Sequence, residues 1–443
     1  MRLLLLCGLA GSLAAQQDSS EDAKTLLLEV RKKLMLTLTS LPKYMCTETI
    51  DRAMFEPQVK LAAQSCDDLA GLKKRKGWTV HKYESDRLRL DVAVSDEAEM
   101  YSWAGEHSFE DRKLSKLVLG GVTATGEFSA FISSIFGTSA ASFTYNGDVS
   151  ADGRKLVEFG YSVPLEHSKY RISKKLQTAT VAFDGTFLAD PKTFNLVRLT
   201  VHADQLPQEL QSCDISTTLD YSSLQINNSQ FLLPSAVRLH ILEADGVEAD
   251  NRTVFTSCHE FLGESSLHFE DSPTPQATNP EASSQTLPLP AGIQFRFALA
   301  QPIDPANAAA GDSFKARLTS AIKDKQDHVL VPKGTAVIGR ILRMKWLYGL
   351  HSQSLQVALK LETVEVDGVP RAFDTRMEST VKRHINSTDF SAVRQTLGSF
   401  DQMDQDDPGV GFLEFPNVSQ DYVIKRGLEI EAMTAAPSSK PLN

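Results

Sequence analysis

From Trp78 onward the chain is written in strand-length runs whose apolar residues fall at every second position, and no other feature constrains its fold as strongly. "DRLRLDVAV", "KLVEFGYSV" and "NLVRLTV" put apolar side chains on one face and polar ones on the other, the period of a half-buried strand. "WTVHKYES", "EAEMYSWA" and "TATVAF" belong to the same series. Asn146-Gly147, Asp152-Gly153, Asp184-Gly185 and Asp245-Gly246 are dipeptides that tight hairpins favour, and they recur between the runs. The expected result is a long antiparallel sheet accompanied by a few helices.

Helical spacing occurs in three places. In "DSSEDAKTLLLEVRKKLMLTLTSLPKY", Leu27, Val30, Leu34 and Leu38 share one face, Ser19 with Asp22 supplies a capping signal, and Pro42 ends the run. In "EPQVKLAAQSCDDLAGLKKRKG", Val59, Ala62, Cys66 and Leu69 fall on one stripe, which would bury Cys66. "TGEFSAFISSIFG" interrupts the strands, with Phe128, Phe131, Ile132 and Ile135 as its apolar residues.

"EDSPTPQATNPEASSQTLPLPAG" is dense in Pro, Ser and Thr and has no large apolar residue before Leu287, so it cannot pack and reads as a linker over 271–290. Strands resume beyond it in "IQFRFALAQPI", "DSFKARLTSAI", "HVLVPKGTAVIGRIL" and "LQVALKLETVEVDGVPRAF". Residues 380–408 are polar and acidic and read as a surface excursion, after which "GFLEF" and "YVIKRGLEIEAMT" close the region. The division is a leader over 1–15, a first domain over 16–270, an all-β second domain over 291–436 and a tail over 437–443.

The leader is "MRLLLLCGLAGSLAAQQ". Arg2, the apolar Leu3 to Leu9 and the small Gly11, Ser12, Ala14 and Ala15 follow the order of a secretory signal, with the cut before Ala15 or Gln16. A lipidated cysteine needs a small residue before it, and Leu6 precedes Cys7, so Cys7 is read as leaving with the leader. Export predicts a periplasmic or secreted protein in a compartment where thiols pair. No later segment has the roughly 20 apolar residues of a spanning helix. Cys46, Cys66, Cys213 and Cys258 remain, and four cysteines allow three pairings. Nearness along the chain favours Cys46–Cys66 and Cys213–Cys258, each bridge contributing about 3 kcal/mol. The zinc alternative lacks the short C-x2–4-C spacing.

A net charge of −10 argues against nucleic acid or an anionic membrane surface as partner. Catalytic signatures fail one by one. "GGVTATGE" has phosphate-loop spacing, but Glu127 stands where lysine is required. "SAIK" at Ser320–Lys323 lacks the S-D-N and K-T-G that accompany a nucleophilic serine. There is no H-E-x-x-H and no G-x-S-x-G, and His240, His259 and His268 are the nearest thing to a histidine cluster. The expectation is a non-catalytic protein with no cofactor and no metal site.

"LPKYMCTETIDR", "DRLRLDVAVSD", "GVTATGEFSAFISSIFG", "VAFDGTFLADPKTFNLVRLTV" and "FLLPSAVRLHILE" resemble a family of exported acidobacterial proteins. More distantly, the helix followed by many antiparallel strands resembles the periplasmic lipoprotein-carrier superfamily, and "FDGTFLADPKTFNLVRL" looks like that group's strand, Asp-Pro turn and strand. "GDSFKARL" with "VLVPKGTAVIGRI" resembles the β-barrel of conjugation-type secretion proteins of the TrbI class, whose membrane anchor and Pro-rich arm this sequence lacks. These resemblances imply an α+β fold, mainly β: a lipoprotein-carrier-like antiparallel half-barrel followed by a small all-β barrel or sandwich. They imply a lipid or lipoprotein acyl chain as ligand of the first domain, and envelope proteins as partners. A curved sheet with an apolar concave face must be covered, either by the chain's own helices or by a ligand. An adaptor with no small ligand is the competing expectation.

Overall fold

The computed structural model describes residues 11–58, 65–74, 78–95, 98–106, 109, 114–118, 123, 128–151, 153–174, 177–261, 286–377 and 409–436, with side chains of the first helix described from residue 21. The expected linker over 271–290 falls largely outside these residues, as do the polar excursion and the tail over 437–443.

The first helix, α1 (Gly11–Ser40), leads into β1 (Tyr44–Pro57). Then come α2 (Cys66–Lys73), β2 (Val80–Ser95), β3 (Ala98–Trp103), α3 (Leu114–Leu117) and α4 (Ala130–Phe136). A meander follows: β4 (Ser142–Ala151), β5 (Arg154–Val163), the β6–β7 hairpin (Arg171–Lys174, Gln177–Thr180), β8 (Ala182–Ala189), β9 (Leu196–Asp204), β10 (Ser212–Ile226), β11 (Ser229–Glu243) and β12 (Glu248–Glu260). All pairings in this half are antiparallel, in the order β4-β5-β8-β9-β10-β11-β12-β1-β2-β3. The sheet is not closed into a barrel. It curls around α1 and α4, whose apolar residues share one core with β1, β2, β5, β8 and β9.

The second half holds β13 (Gln294–Leu299), β14 (Ser313–Leu318), β15 (Ile322–Lys323), β16 (Val329–Val331), β17 (Ala336–Tyr348), β18 (Gln353–Val366), β19 (Val369–Ala372), β20 (Thr375–Met377), β21 (Val410–Pro416) and β22 (Glu429–Thr434). The series β20-β22-β13-β14-β17-β18-β21 winds around a second core, in which Phe297, Ile322, Val331, Leu355 and Val357 are fully enclosed. The two halves join edge to edge. Lys345–Leu347 of β17 pairs with Glu84–Asp86 of β2, making one 18-stranded sheet.

The structure corrects several expectations. β1 carries no obvious alternation of apolar and polar residues, yet it pairs with β12 on one side and β2 on the other. The second helix spans only Cys66–Lys73, and Glu56 and Pro57 belong to β1. Cys66 is exposed, and only Leu69 of that helix is buried. Asn146-Gly147 is a bulge inside β4, and Asp184-Gly185 lies within β8, where a Cβ on Gly185 would stand 2.0 Å from the Thr200 carbonyl oxygen. The disulfides are Cys46–Cys258 and Cys66–Cys213. Neither is the neighbour pairing. Chain proximity lowers loop-closure entropy, but β1 lies against β12, and that register brings Cys46 to Cys258 across 212 residues of chain.

Candidate functional site: the covered concave face

Strand alternation sends Tyr44, Cys46, Glu48, Ile50 and Arg52 of β1 to one face, with Val94, Val92, Leu90, Leu88 and Asp86 of β2 opposite them. This is the concave face, and most of it is apolar. Phe159 stacks on Phe187 at 5.1 Å, and Phe136 from α4 meets Phe187 edge-on at 5.1 Å. Phe131 of α4 contacts Tyr170 and Phe183. Phe128, Phe131, Ile132 and Ile135 are buried, as their spacing leads one to expect, so α4 belongs to the floor of the core.

α1 lies over this floor as a cover. Its spacing also reads correctly, with Val30 and Leu34 buried and Leu27 and Leu38 half-buried. Its polar grip sits at the rim. The Arg31 guanidinium donates to the carbonyls of Phe136 (3.2 Å from Nε) and Thr138 (2.9 Å), and lies over the Phe143 ring. Lys33 Nζ donates to the Thr193 carbonyl at 2.6 Å. On the outer side Leu28 and Leu36 are exposed.

Within the apolar interior a small polar group stands out. Glu48 is 1% exposed, and among the described residues its Oε2 has no hydrogen-bond partner. The Tyr44 hydroxyl and the Ser129 hydroxyl, both on buried residues, also lack partners. Glu99 lies beside them with its carboxylate engaged, accepting from the Tyr101 hydroxyl at 2.7 Å and from the Phe128 amide at 3.3 Å. Burial first, and then the Glu99 charge, push the Glu48 carboxyl up to about 8. The same causes, with Tyr221 as a third, hold the Tyr44 phenol far above its ordinary range.

The opposite end of the same face is charged. Arg52 donates to Asp86 twice, from Nε at 2.7 Å and from Nη2 at 2.5 Å. Lys345, in register with Asp86, bonds to Glu84, and Arg343 is buried beside them. Arg52, Lys345 and Arg343 hold the Asp86 carboxyl below its ordinary value despite its burial. On the other face of the sheet, Asp51, Lys82, Arg87, Arg252, Trp346 and Tyr348 are among the residues lining a cleft of about 460 Å³ between the halves.

Of the cysteines named in the sequence, Cys46 lies on the concave face itself and Cys66 and Cys213 lie at its periphery. Cys46 points into the core while its bond to Cys258 ties β1 to β12, and Cys66–Cys213 fastens α2 to β10. His240 and His259 do not come together. His240 instead sits 3.3 Å from Asp214, which also takes His202 at 3.1 Å. His259 is at the far end of β12, and His268 lies outside the described residues. Among the described residues no group of three or more His, Cys, Asp or Glu is arranged to hold a metal ion. Sequence reasoning missed Tyr44, Glu48 and Arg52 as a set. The signal was the every-second-residue series Tyr44, Cys46, Glu48, Ile50 and Arg52, hidden because two of those inward positions are charged.

No protein-family model matches the chain, and no curated protein matches it. Two solved structures are similar. A DUF1329 family protein from Desulfovibrio piger is 9% identical, with 55% of this chain and 94% of that one covered at a TM-score of 0.25. An outer membrane lipoprotein-sorting protein domain from Vibrio parahaemolyticus is 7% identical, with 52% and 92% covered at a TM-score of 0.22. At those scores neither neighbour bears on function. No helix among the described residues is long and apolar enough to cross a membrane.

Proposed function

We propose that this is an exported, non-catalytic envelope protein whose first half takes a lipid or lipoprotein acyl chain against its concave face when α1 moves aside. The observation that carries the reading is the unequal way the concave face is closed. The sheet is bonded strand to strand throughout, whereas α1 is held by an apolar stripe centred on Val30 and Leu34 and by rim contacts from Arg31 and Lys33. An apolar chain could replace that stripe without breaking a single ladder hydrogen bond. The leader features of residues 1–15 and the two disulfides support export to an oxidising compartment, periplasmic or extracellular. The two largest apolar cores, one centred in each half, support reading residues 16–270 and 291–436 as two domains.

Native mass spectrometry of protein purified from an exporting host tests this directly. The expected result is a lipid-sized mass that is lost on denaturation, together with uptake of an added fluorescent acyl probe. A clean protein mass and no uptake, under conditions that preserve lipid in a known carrier, would overturn it. The adaptor reading would then stand, favoured by the continuous sheet through both halves and the cleft between them.

A further inference from the structure

A protein core rarely leaves a buried carboxyl without a hydrogen bond, because such a group keeps its desolvation cost and gains nothing in return. Here three polar atoms without a partner among the described residues belong to residues grouped about one aromatic ring. Phe128 stands 5.7 Å from the Tyr44 ring and 4.6 Å from Phe255. Phe255 is directly opposite Glu48 in the β1–β12 register, and Ser129 is the next residue of the chain. Glu48 Oε2, the Tyr44 hydroxyl and the Ser129 hydroxyl are among the buried atoms left unsatisfied. Each can donate a proton, Glu48 in its neutral form. The carboxylate nearby is Glu99, whose oxygens already accept two hydrogen bonds. The interior therefore offers spare donors, next to a carboxylate, within apolar walls.

That combination discriminates between ligand head groups. A neutral acceptor such as the carbonyl of an ester or amide satisfies a spare donor and brings no charge into the apolar interior. A free carboxylate would bring a second anion against Glu99 in a medium where like charges repel strongly. We propose that Glu48, with Tyr44 and Ser129 as neighbouring donors, forms a carbonyl-recognition site that makes the concave face selective for acyl esters and amides over free fatty acids. The selectivity rests on the acyl-binding reading given above. The high proton affinity that burial and Glu99 confer on Glu48 agrees with its acting as a donor near neutral pH.

Binding of 1-monopalmitoylglycerol and of palmitate to the full chain at pH 7, by displacement of a fluorescent acyl probe, tests the site. The two probes share one chain and differ in the head. The ester is expected to bind roughly tenfold more tightly, the worth of one well-placed hydrogen bond. Glu48→Gln, which keeps a donor of the same shape, should retain the preference. Glu48→Leu should lose it by weakening the ester alone, and Tyr44→Phe should reduce it. The stretching band of a 13C-labelled ester carbonyl should move to lower frequency on binding to the wild type but not to Glu48→Leu, a readout that a merely structural role would not produce. Equal affinities for the two probes, unchanged in Glu48→Leu, would overturn the carbonyl site and leave acyl binding standing. Failure of both probes to bind would overturn the acyl-binding reading and this inference with it.

Discussion

Glu48 and Arg52 stand four residues apart on one face of β1, and the fold treats their buried charge in opposite ways. At the Arg52 end the charge is kept and matched. Arg52, Asp86, Glu84 and Lys345 form a row of opposite charges through which β1, β2 and β17 meet. At the Glu48 end burial and a like-charged neighbour suppress the charge, and Oε2 of the acid has no hydrogen-bond partner among the described residues. The first arrangement suits a junction, because a buried ion network tolerates only one register. The second suits a surface that must receive something else. A single strand thus carries both the fastening between the halves and the polar spot inside the first of them.

The largest effect should come from breaking the matched end. Asp86→Ala takes from buried Arg52 the carboxylate it is bonded to, while Lys345 keeps Glu84, and removal of one partner from such a pair typically costs about 3–5 kcal/mol. Urea unfolding should show that loss. A double replacement, Arg52→Met with Asp86→Leu, should recover most of it, since paired apolar groups carry no desolvation penalty. If the single and double variants prove equally unstable, register and packing alone hold the junction and the charges contribute nothing.

The two ends should also separate by pH. Glu48 holds its proton in the folded chain up to about pH 8, while an ordinary glutamate in the unfolded chain releases it near 4.5. Between those values the folded state binds more protons, so stability is complete below pH 4.5 and falls as pH rises through 8. Asp86 has the opposite sign. Its folded value is depressed, so its contribution is present above its ordinary 3.8 and is lost as pH falls through the folded value. Glu48→Gln should match the wild type at pH 4.5 and exceed it by on the order of 3 kcal/mol at pH 8.5. Parallel wild-type and Glu48→Gln stability profiles from pH 5 to 8.5 would show that Glu48 ionises freely and that the two ends do not differ.

How much of this was legible follows from what each element depends on. α1 and α4 depend on local spacing, so Val30, Leu34, Phe131 and Ile135 were found where the helical period placed them. β1 was missed because Glu48 and Arg52 occupy inward positions, and a strand is recognised by apolar residues there. Asn146-Gly147 satisfied the chemistry of a hairpin, but the sheet used it as a bulge. The disulfide pairing and the Asp86–Lys345 register depend on contacts across hundreds of residues. No local pattern encodes those contacts. The candidate site is therefore the least legible part of the chain, since it requires β1, β3 and the start of α4 to be brought together first.

The two disulfides refine the comparison, because each fastens a different part of the first half. Cys46–Cys258 closes β1 onto β12 inside the core, two residues from Glu48. Cys66–Cys213 attaches the short α2, whose only buried residue is Leu69, to β10 at the periphery. Loop entropy alone would assign about 5 kcal/mol to each bridge, given separations of 212 and 147 residues, but disulfides typically contribute less, so paired serine replacement at Cys46–Cys258 should cost about 3 kcal/mol. The Cys66–Cys213 loss should be the smaller, about 2 kcal/mol, because a peripheral helix can detach without unfolding the sheet. Thermal unfolding of the two double variants in parallel measures this, and a larger loss from Cys66–Cys213 would reverse the assignment of core and periphery.

The smallest change in stability should accompany the largest change in motion. Arg31→Ala removes the guanidinium that caps the end of α4 and rests on Phe143, while leaving Val30 and Leu34 in place. Its contacts are part-exposed hydrogen bonds to carbonyls, so global stability should fall by only about 1 kcal/mol. If α1 is a separable cover, amide hydrogen exchange should rise across residues 21–40 and stay unchanged in β1, β8 and β9, because the helix opens without the sheet. Acyl-probe uptake should then quicken in the same variant. Exchange that rises equally in α1 and in β1 would mean that the helix and the sheet form one cooperative unit. The concave face would then be a filled core, and Glu48 would be a cost the fold bears for reasons unrelated to a ligand.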